Sequence, residues 1–276
     1  MSLRIGLIAA LSLTAGEYPR TLEAWHGATP KVDGVLSPGE YADAVSFRGV
    51  RDWTPQFSPT TDDRDLSLRG WVKHDGKRLY FAFDVTDDVL YGIDTPRWLP
   101  SNNKAAHELT REGWPWFGDE MEILINARYR WQGDENAAGN GSSFQMVCNL
   151  TKSRLGGVGT GGLMEGEPRR DVNAWNTYRK WIDQGAQQCE VKARNGGYVL
   201  EWSIAFDPCV EVEPGVFWSP SLGQRKVGLN IALGDLDEMS RGEGNFGNFH
   251  HEDWWAGEKD KRTNLRQFGT LVLHPA

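Results

Sequence analysis

Apolar and polar residues alternate with a period of two along most of this chain, the pattern of strands that bury one face and wet the other. In "DLSLRGWVKHDGKRLYFAFDVTD", residues 65 to 87, an Asp75-Gly76 turn is followed by Leu79, Phe81, Phe83 and Val85 on one face. Tyr80, Ala82 and Asp84 take the other, which predicts a β-hairpin. "EMEILINA" sets Met121, Ile123 and Ile125 against Glu120, Glu122, Leu124 and Asn126, and "SSFQMVCNL" sets Phe144, Met146 and Cys148 against Gln145, Val147 and Asn149. "GGYVLEWSIAFD" sends Tyr198, Leu200, Trp202, Ile204 and Phe206 one way, "KVGLNIALGD" does the same with Val227, Leu229, Ile231 and Leu233, and "FGTLVLH" closes the chain. Helical periodicity is weak, with its best stretch at residues 101 to 112. The fold expected is all-β, an antiparallel, jelly-roll-like β-sandwich with one face of each strand in the core.

Long irregular segments interrupt the strands near residues 51–65, 92–118, 129–141, 152–188 and 240–266, and loops on a rigid sandwich are where binding usually resides. "GGVGTGG", residues 156 to 162, lacks the Lys-Ser/Thr ending of a phosphate-binding loop. With no linker and no fixed repeat, residues 17–276 read as one domain.

Composition narrows the partners. A formal charge of −8 with no basic stripe excludes nucleic acid and an anionic membrane surface. Thirteen tryptophans exceed what one core requires, so some are expected at the surface. The first 16 residues, one positive charge before "IGLIAALSLTAG", resemble a secretory signal, and the alternative is an ordinary first element of the domain. A secreted or periplasmic protein is therefore expected. The apolar run is too short to span a bilayer, which takes about 20 residues. Three cysteines allow at most one bridge. Cys148 reads as a buried thiol, and a Cys189–Cys209 bridge would need the chain to bend back after Phe206.

Six stretches in order, "TPKVDGVLSPGEYADA", "KRLYFAFDVTDD", "GDEMEILINA", "GGYVLEWSIAF", "KVGLNIALGDLDE" and "FGTLVL", resemble the landmarks of carbohydrate-binding module family 9 and its relatives over residues 28 to 274. The resemblance implies a noncatalytic domain that binds an oligo- or polysaccharide, with a sugar ring held between two tryptophans and polar strand residues bonding its hydroxyls. A pyranose suits such a site: its C–H face stacks on an aromatic ring and its hydroxyl rim seeks planar polar partners. Trp116 matches the first of those tryptophans and Glu122 the hydroxyl-binding carboxylate. Gln145 stands where the family has an arginine, and Asn230 is a candidate through its strand face. The position of the second tryptophan falls near Arg262; Trp254 or Trp255 in "NFHHEDWWAG" is the nearest ring, and neighbours in extended chain leave only one of them able to stack.

The acid clusters "DVTDDVLYGID" and "GDLDE" suggest structural calcium, a hard cation that takes several oxygen ligands, with Asp87, Asp88, Asp235 and Asp237 as candidates; the resemblance implies the same. Two other functions compete. Inward Met121 and Met146 admit a haem-binding sandwich. A glycoside hydrolase or polysaccharide lyase would need paired carboxylates about 5 to 9 Å apart, whereas Asp119 and Glu122, three apart on a strand, project to opposite faces.

Overall fold

The computed structural model describes residues 20–55, 60, 62–90, 119–129, 143–150, 154–156, 181–237, 250–257 and 268–276. Two sheets face each other. The eight-stranded sheet runs β1 (Thr21–Ala24), β15 (Gly269–Leu273), β13 (Arg225–Leu236), β6 (Glu120–Asn126), β7 (Ser143–Asn149) and β8 (Arg154–Gly156); β14 (His250–Trp254) also pairs with β13, and β3 (Thr54–Pro55) with β14. The five-stranded sheet runs β2 (Val45–Gly49), β4 (Leu66–His74), β5 (Arg78–Asp87), β10 (Gly197–Ala205) and β9 (Gln187–Arg194). A small ribbon pairs β11 (Glu211–Glu213) with β12 (Val216–Phe217). The β1–β15 pair is parallel, and β13 is antiparallel to β6, β14 and β15.

The period-two pattern decides which residues meet. Phe81, Phe83 and Val85 of β5 and Leu200, Trp202 and Ile204 of β10 enter one apolar core with Met121, Ile123 and Ile125 of β6 and Leu229, Ile231 and Leu233 of β13. Burying such side chains is worth roughly 1.5–3 kcal/mol each. The β4–β5 hairpin turns where expected, at a glycine with φ of 85°, a left-handed conformation glycine adopts without a Cβ clash.

The outer face of the five-stranded sheet is covered by the segment that precedes β2. Glu201 of β10 accepts N–H bonds from Asp33, Gly34 and Val35 at 2.9, 2.7 and 3.3 Å and a hydroxyl bond from Tyr41 at 2.8 Å.

Three segments expected as irregular contain strands: β3, β8 and β14. The last, "HHEDW", hides from a period-two reading because Glu252 and Asp253, on opposite faces, are both buried acids. Its pairing with β13, from Leu236 opposite His250 to Ala232 opposite Trp254, makes it a strand despite its composition. The chain does turn back after Phe206, yet Cys148, Cys189 and Cys209 are all buried thiols outside any disulfide. The Cys209 thiol points to the carbonyl of Ala186 at 4.0 Å. Residues 1–16, the helical stretch 101–112 and the glycine loop 157–162 lie outside the described residues.

Candidate functional site

Strand register builds a polar patch on the outer face of the eight-stranded sheet. Across β14, β13 and β6, Trp254, Ala232 and Glu122 form one row, and Glu252, Gly234 and Glu120 form the next. On β7, Gln145 stands opposite Leu124, one row beyond Glu122. Its side-chain amide donates to Glu122 Oε2, so two residues chosen from separate strands meet as one hydrogen-bonded pair. The indole N–H of Trp254 donates to Glu252 Oε1. Alanine and glycine between the two acidic edges keep the middle of the patch low.

The double tryptophan divides as adjacent strand residues must. Trp254 lies on the outer face beside the acids, whereas Trp255 joins the apolar core and packs so closely on Gly269 that a Cβ there would meet its ring at 2.4 Å. Both rings are buried. Asn230 is buried too, and its amide clamps the backbone after β14: its Nδ2 donates to the Ala256 carbonyl at 3.1 Å, and its Oδ1 accepts the Ala256 and Ile231 N–H groups at 3.0 Å. It stands on the same face, one row along from Ala232, opposite Leu124. Trp116 and the Arg262 position lie outside the described residues.

Sequence reasoning left two members of this face unassigned, Glu120 and Glu252. Alternation already placed Glu120 beside Glu122. It is 1% exposed and neither carboxylate oxygen has a hydrogen-bond partner. Burial first, then Glu122, Glu252 and Asp119, hold its pKa well above the usual carboxylate range.

A second acidic site lies between the sheets. Asp87 ends β5, Asp119 precedes β6 and Asp235 stands near the end of β13, each at the inward position that continues its strand's apolar alternation. One oxygen from each lies within 4.8 Å of the others, and Asp65, Asp88 and Asp237 form a second such group. All four aspartates proposed as metal ligands thus fall into these two triads; Asp65 and Asp119 complete them. Opposed ligands at about 2.4 Å from a calcium ion are about 4.8 Å apart, so the spacing fits. The inner triad passes a harder test. Asp235 is fully buried with no hydrogen-bond partner for either oxygen, and Asp87 is fully buried with its Oδ2 unpartnered. Burial, then Asp87 and Asp237, push the Asp235 carboxyl up to about 9; burial pushes Asp87 up to about 7 against the Val89 N–H that lowers it. An unfilled arrangement of this kind is costly, and a divalent cation would relieve it while tying the two sheets together. The residues fit calcium.

No family model matches the chain, and no curated protein matches it. Solved structures do. A carbohydrate-binding module of family 9 from Caldicellulosiruptor kristjanssonii, in complex with cellotriose, matches with a TM-score of 0.54 and 14% identity over 93% of this chain and 95% of that one. Its complex with glucose gives the same TM-score and identity over 97% of that chain. A Bacteroides uniformis protein for which carbohydrate binding is proposed matches at 0.52 and 13%, over 94% of this chain and all of that one. At such identity the likeness establishes the fold alone: a β-sandwich like that of these structures.

Proposed function

We propose that this protein is a noncatalytic glycan-binding module whose sugar rests on the outer face of the eight-stranded sheet. Glu122 and Gln145 bond the sugar's hydroxyls, Trp116 is the stacking ring, Trp254 and Asn230 are buried supports on the same face, and Trp255 belongs to the core. The inner aspartate triad holds a structural calcium ion, away from the sugar.

The observation that carries this reading is the Glu122–Gln145 hydrogen bond, on the sheet face that also carries Trp254. A carboxylate and an amide fixed side by side present acceptors and donors to vicinal hydroxyls, and a charged partner bonds about twice as strongly as a neutral one. Support also comes from the fold shared with modules solved with cellotriose and glucose. Calorimetric titration with cellotriose tests it: Glu122→Gln should weaken binding about tenfold, the equivalent of roughly 1.4 kcal/mol. Binding unaffected by Glu122→Gln would remove this face from the site.

One observation favours hydrolysis as a second reading. Glu120 and Glu122 stand two apart on one strand face, about 7 Å along the backbone, within the range of paired carboxylates in glycosidases. Sugar release from a polysaccharide that vanishes in Glu122→Gln would replace the binding function with that activity.

A further inference from the structure

The outer face of the five-stranded sheet carries a cleft of about 560 Å³ beside β2, β4 and β5, with room for one or two sugar rings. None of residues 28–44, the segment that covers the rest of this face, lines it. Strand register sets its centre: Arg48 stands directly opposite Arg69, and Arg69 opposite Asp84. The row of Ser46, Trp71, Ala82 and the clamping Glu201 runs alongside.

The charges of the cleft do not balance. Each carboxylate on its wall is matched to an arginine of its own: Asp84 to Arg194 at 2.7 Å, Asp52 to Arg20 at 3.3 Å and Asp63 to Arg51 at 3.6 Å. Arg48 and Arg69 are left over. Both are exposed, and among the described residues neither has a carboxylate or carbonyl partner; Arg69 lays its guanidinium over the Trp71 ring at 4.7 Å. Like charges directly opposite on paired strands destabilise a sheet, because their Cβ atoms are only about 5 Å apart. An anion between the two would reverse that effect.

A guanidinium is a planar fork that meets the oxygens of a carboxylate or a sulfate two at a time. A bare ion would need nothing more than this pair. The cleft offers more, since Asp52 and Asp63 keep 69% and 66% of their side-chain surface in water and an exposed carboxylate accepts hydroxyl groups. A ligand with one oxyanion and several hydroxyls uses both sets. The net charge of −8 repels a long polyanion from the rest of the surface, which favours a short acidic saccharide.

We propose that this cleft is a second binding site, for an acidic sugar whose carboxylate or sulfate bridges Arg48 and Arg69. Hydroxyls of the same sugar bond to Asp52 and Asp63. The site lies on the opposite sheet from Glu122 and Gln145 and acts without them.

The test uses the full chain at low ionic strength, where surface charges are least screened, and three trisaccharides: cellotriose, the β-1,4-linked glucuronate trimer, and cellotriose carrying a 6-sulfate. Calorimetry should find at least one acidic trimer bound at least about tenfold tighter than cellotriose, and the tighter of the two identifies the oxyanion. Arg48→Gln and Arg69→Gln, both at exposed positions, should each bring that ratio down to about threefold or less, while Glu122→Gln should leave it in place. Either arginine variant decides the matter if the other does not fold. Equal binding of all three trimers, or a preference that survives both arginine variants, overturns the inference. Inorganic sulfate bound as tightly as the sulfated trimer overturns it too, because the cleft would then read the ion and not the sugar. If the acidic trimers bind through the arginines and cellotriose does not bind at all, the Glu122 reading fails and this one stands.

Discussion

Glu201 and Glu120 are both buried glutamates on the outer face of a sheet, yet they meet opposite surroundings. Glu201, on the five-stranded sheet, takes three backbone N–H groups and the Tyr41 hydroxyl. Glu120, on the eight-stranded sheet, takes nothing. The first is a clamp that holds residues 33–41 over the sheet, and its cost of burial is offset within the chain. The second has no such return, so its burial makes sense as part of a surface completed by something else. Residue type and depth alone would not separate the two; counting donors does.

The largest expected effect attacks the clamp. Glu201→Ala leaves the Asp33 and Gly34 N–H groups and the Tyr41 phenol without their acceptor, while Val35 N–H keeps Asp33; at about 1–3 kcal/mol for each of the three orphans, a loss of at least about 3 kcal/mol is expected in denaturant unfolding. A loss under about 1 kcal/mol would mean that the covering segment is held by other contacts, and the contrast between the faces would lose its structural side.

A smaller effect is expected between the sheets, where Asp235 resembles Glu120 in lacking a donor but belongs to a cation site. With calcium at a hundredfold excess over its dissociation constant, the folded state should gain about 2.7 kcal/mol, and a chelator should remove it. The metal-free protein should also show a pH trend. Asp87 and Asp235 hold protons more tightly folded, with values near 7 and 9, than unfolded, near 3.8. Their contribution is full below that unfolded value and is lost as pH rises through about 7 and then about 9. Calcium, which competes for the same oxygens, should flatten the trend. Melting temperatures across that window, identical with and without calcium, would show that no cation binds the triad.

Much of this was legible in the sequence, for a physical reason. A half-buried strand has to alternate, so Phe81, Phe83, Leu229 and Ile231 declared their faces, and with them the core. The same alternation put Glu122 and Gln145 on one surface. What stayed hidden depended on pairing between distant strands. Nothing in "HHEDW" announces a strand, because its buried acids break the apolar code, and so the row of Glu252, Gly234 and Glu120 could not be read. Trp254 and Trp255 likewise had to diverge, but which ring entered the core depended on the register of β14 against β13. The aspartate triad was half visible. Asp87, Asp119 and Asp235 each sit where the next apolar residue of a strand belongs, an acid at an inward position, but that they meet, and that Asp65 meets Asp88 and Asp237, depends on how the strands pack together.

The smallest expected effect is the most diagnostic. Glu120→Gln swaps a buried carboxyl group, whose pKa burial holds well above the usual range, for an amide of nearly the same shape, and no protein hydrogen bond is broken because none is made. The new amide brings two N–H donors into a neighbourhood of carboxylates, which favours the variant slightly. Unfolding free energy should therefore move by no more than about 1 kcal/mol, toward greater stability if it moves at all. The matching change at Glu201 removes a charge that four donors share, so Glu201→Gln should cost clearly more than Glu120→Gln. Chemical denaturation of the two variants side by side makes the measurement. If Glu120→Gln destabilises the fold as much as Glu201→Gln does, Glu120 is a second structural clamp, and the outer face of the eight-stranded sheet has no vacant acid to offer a ligand.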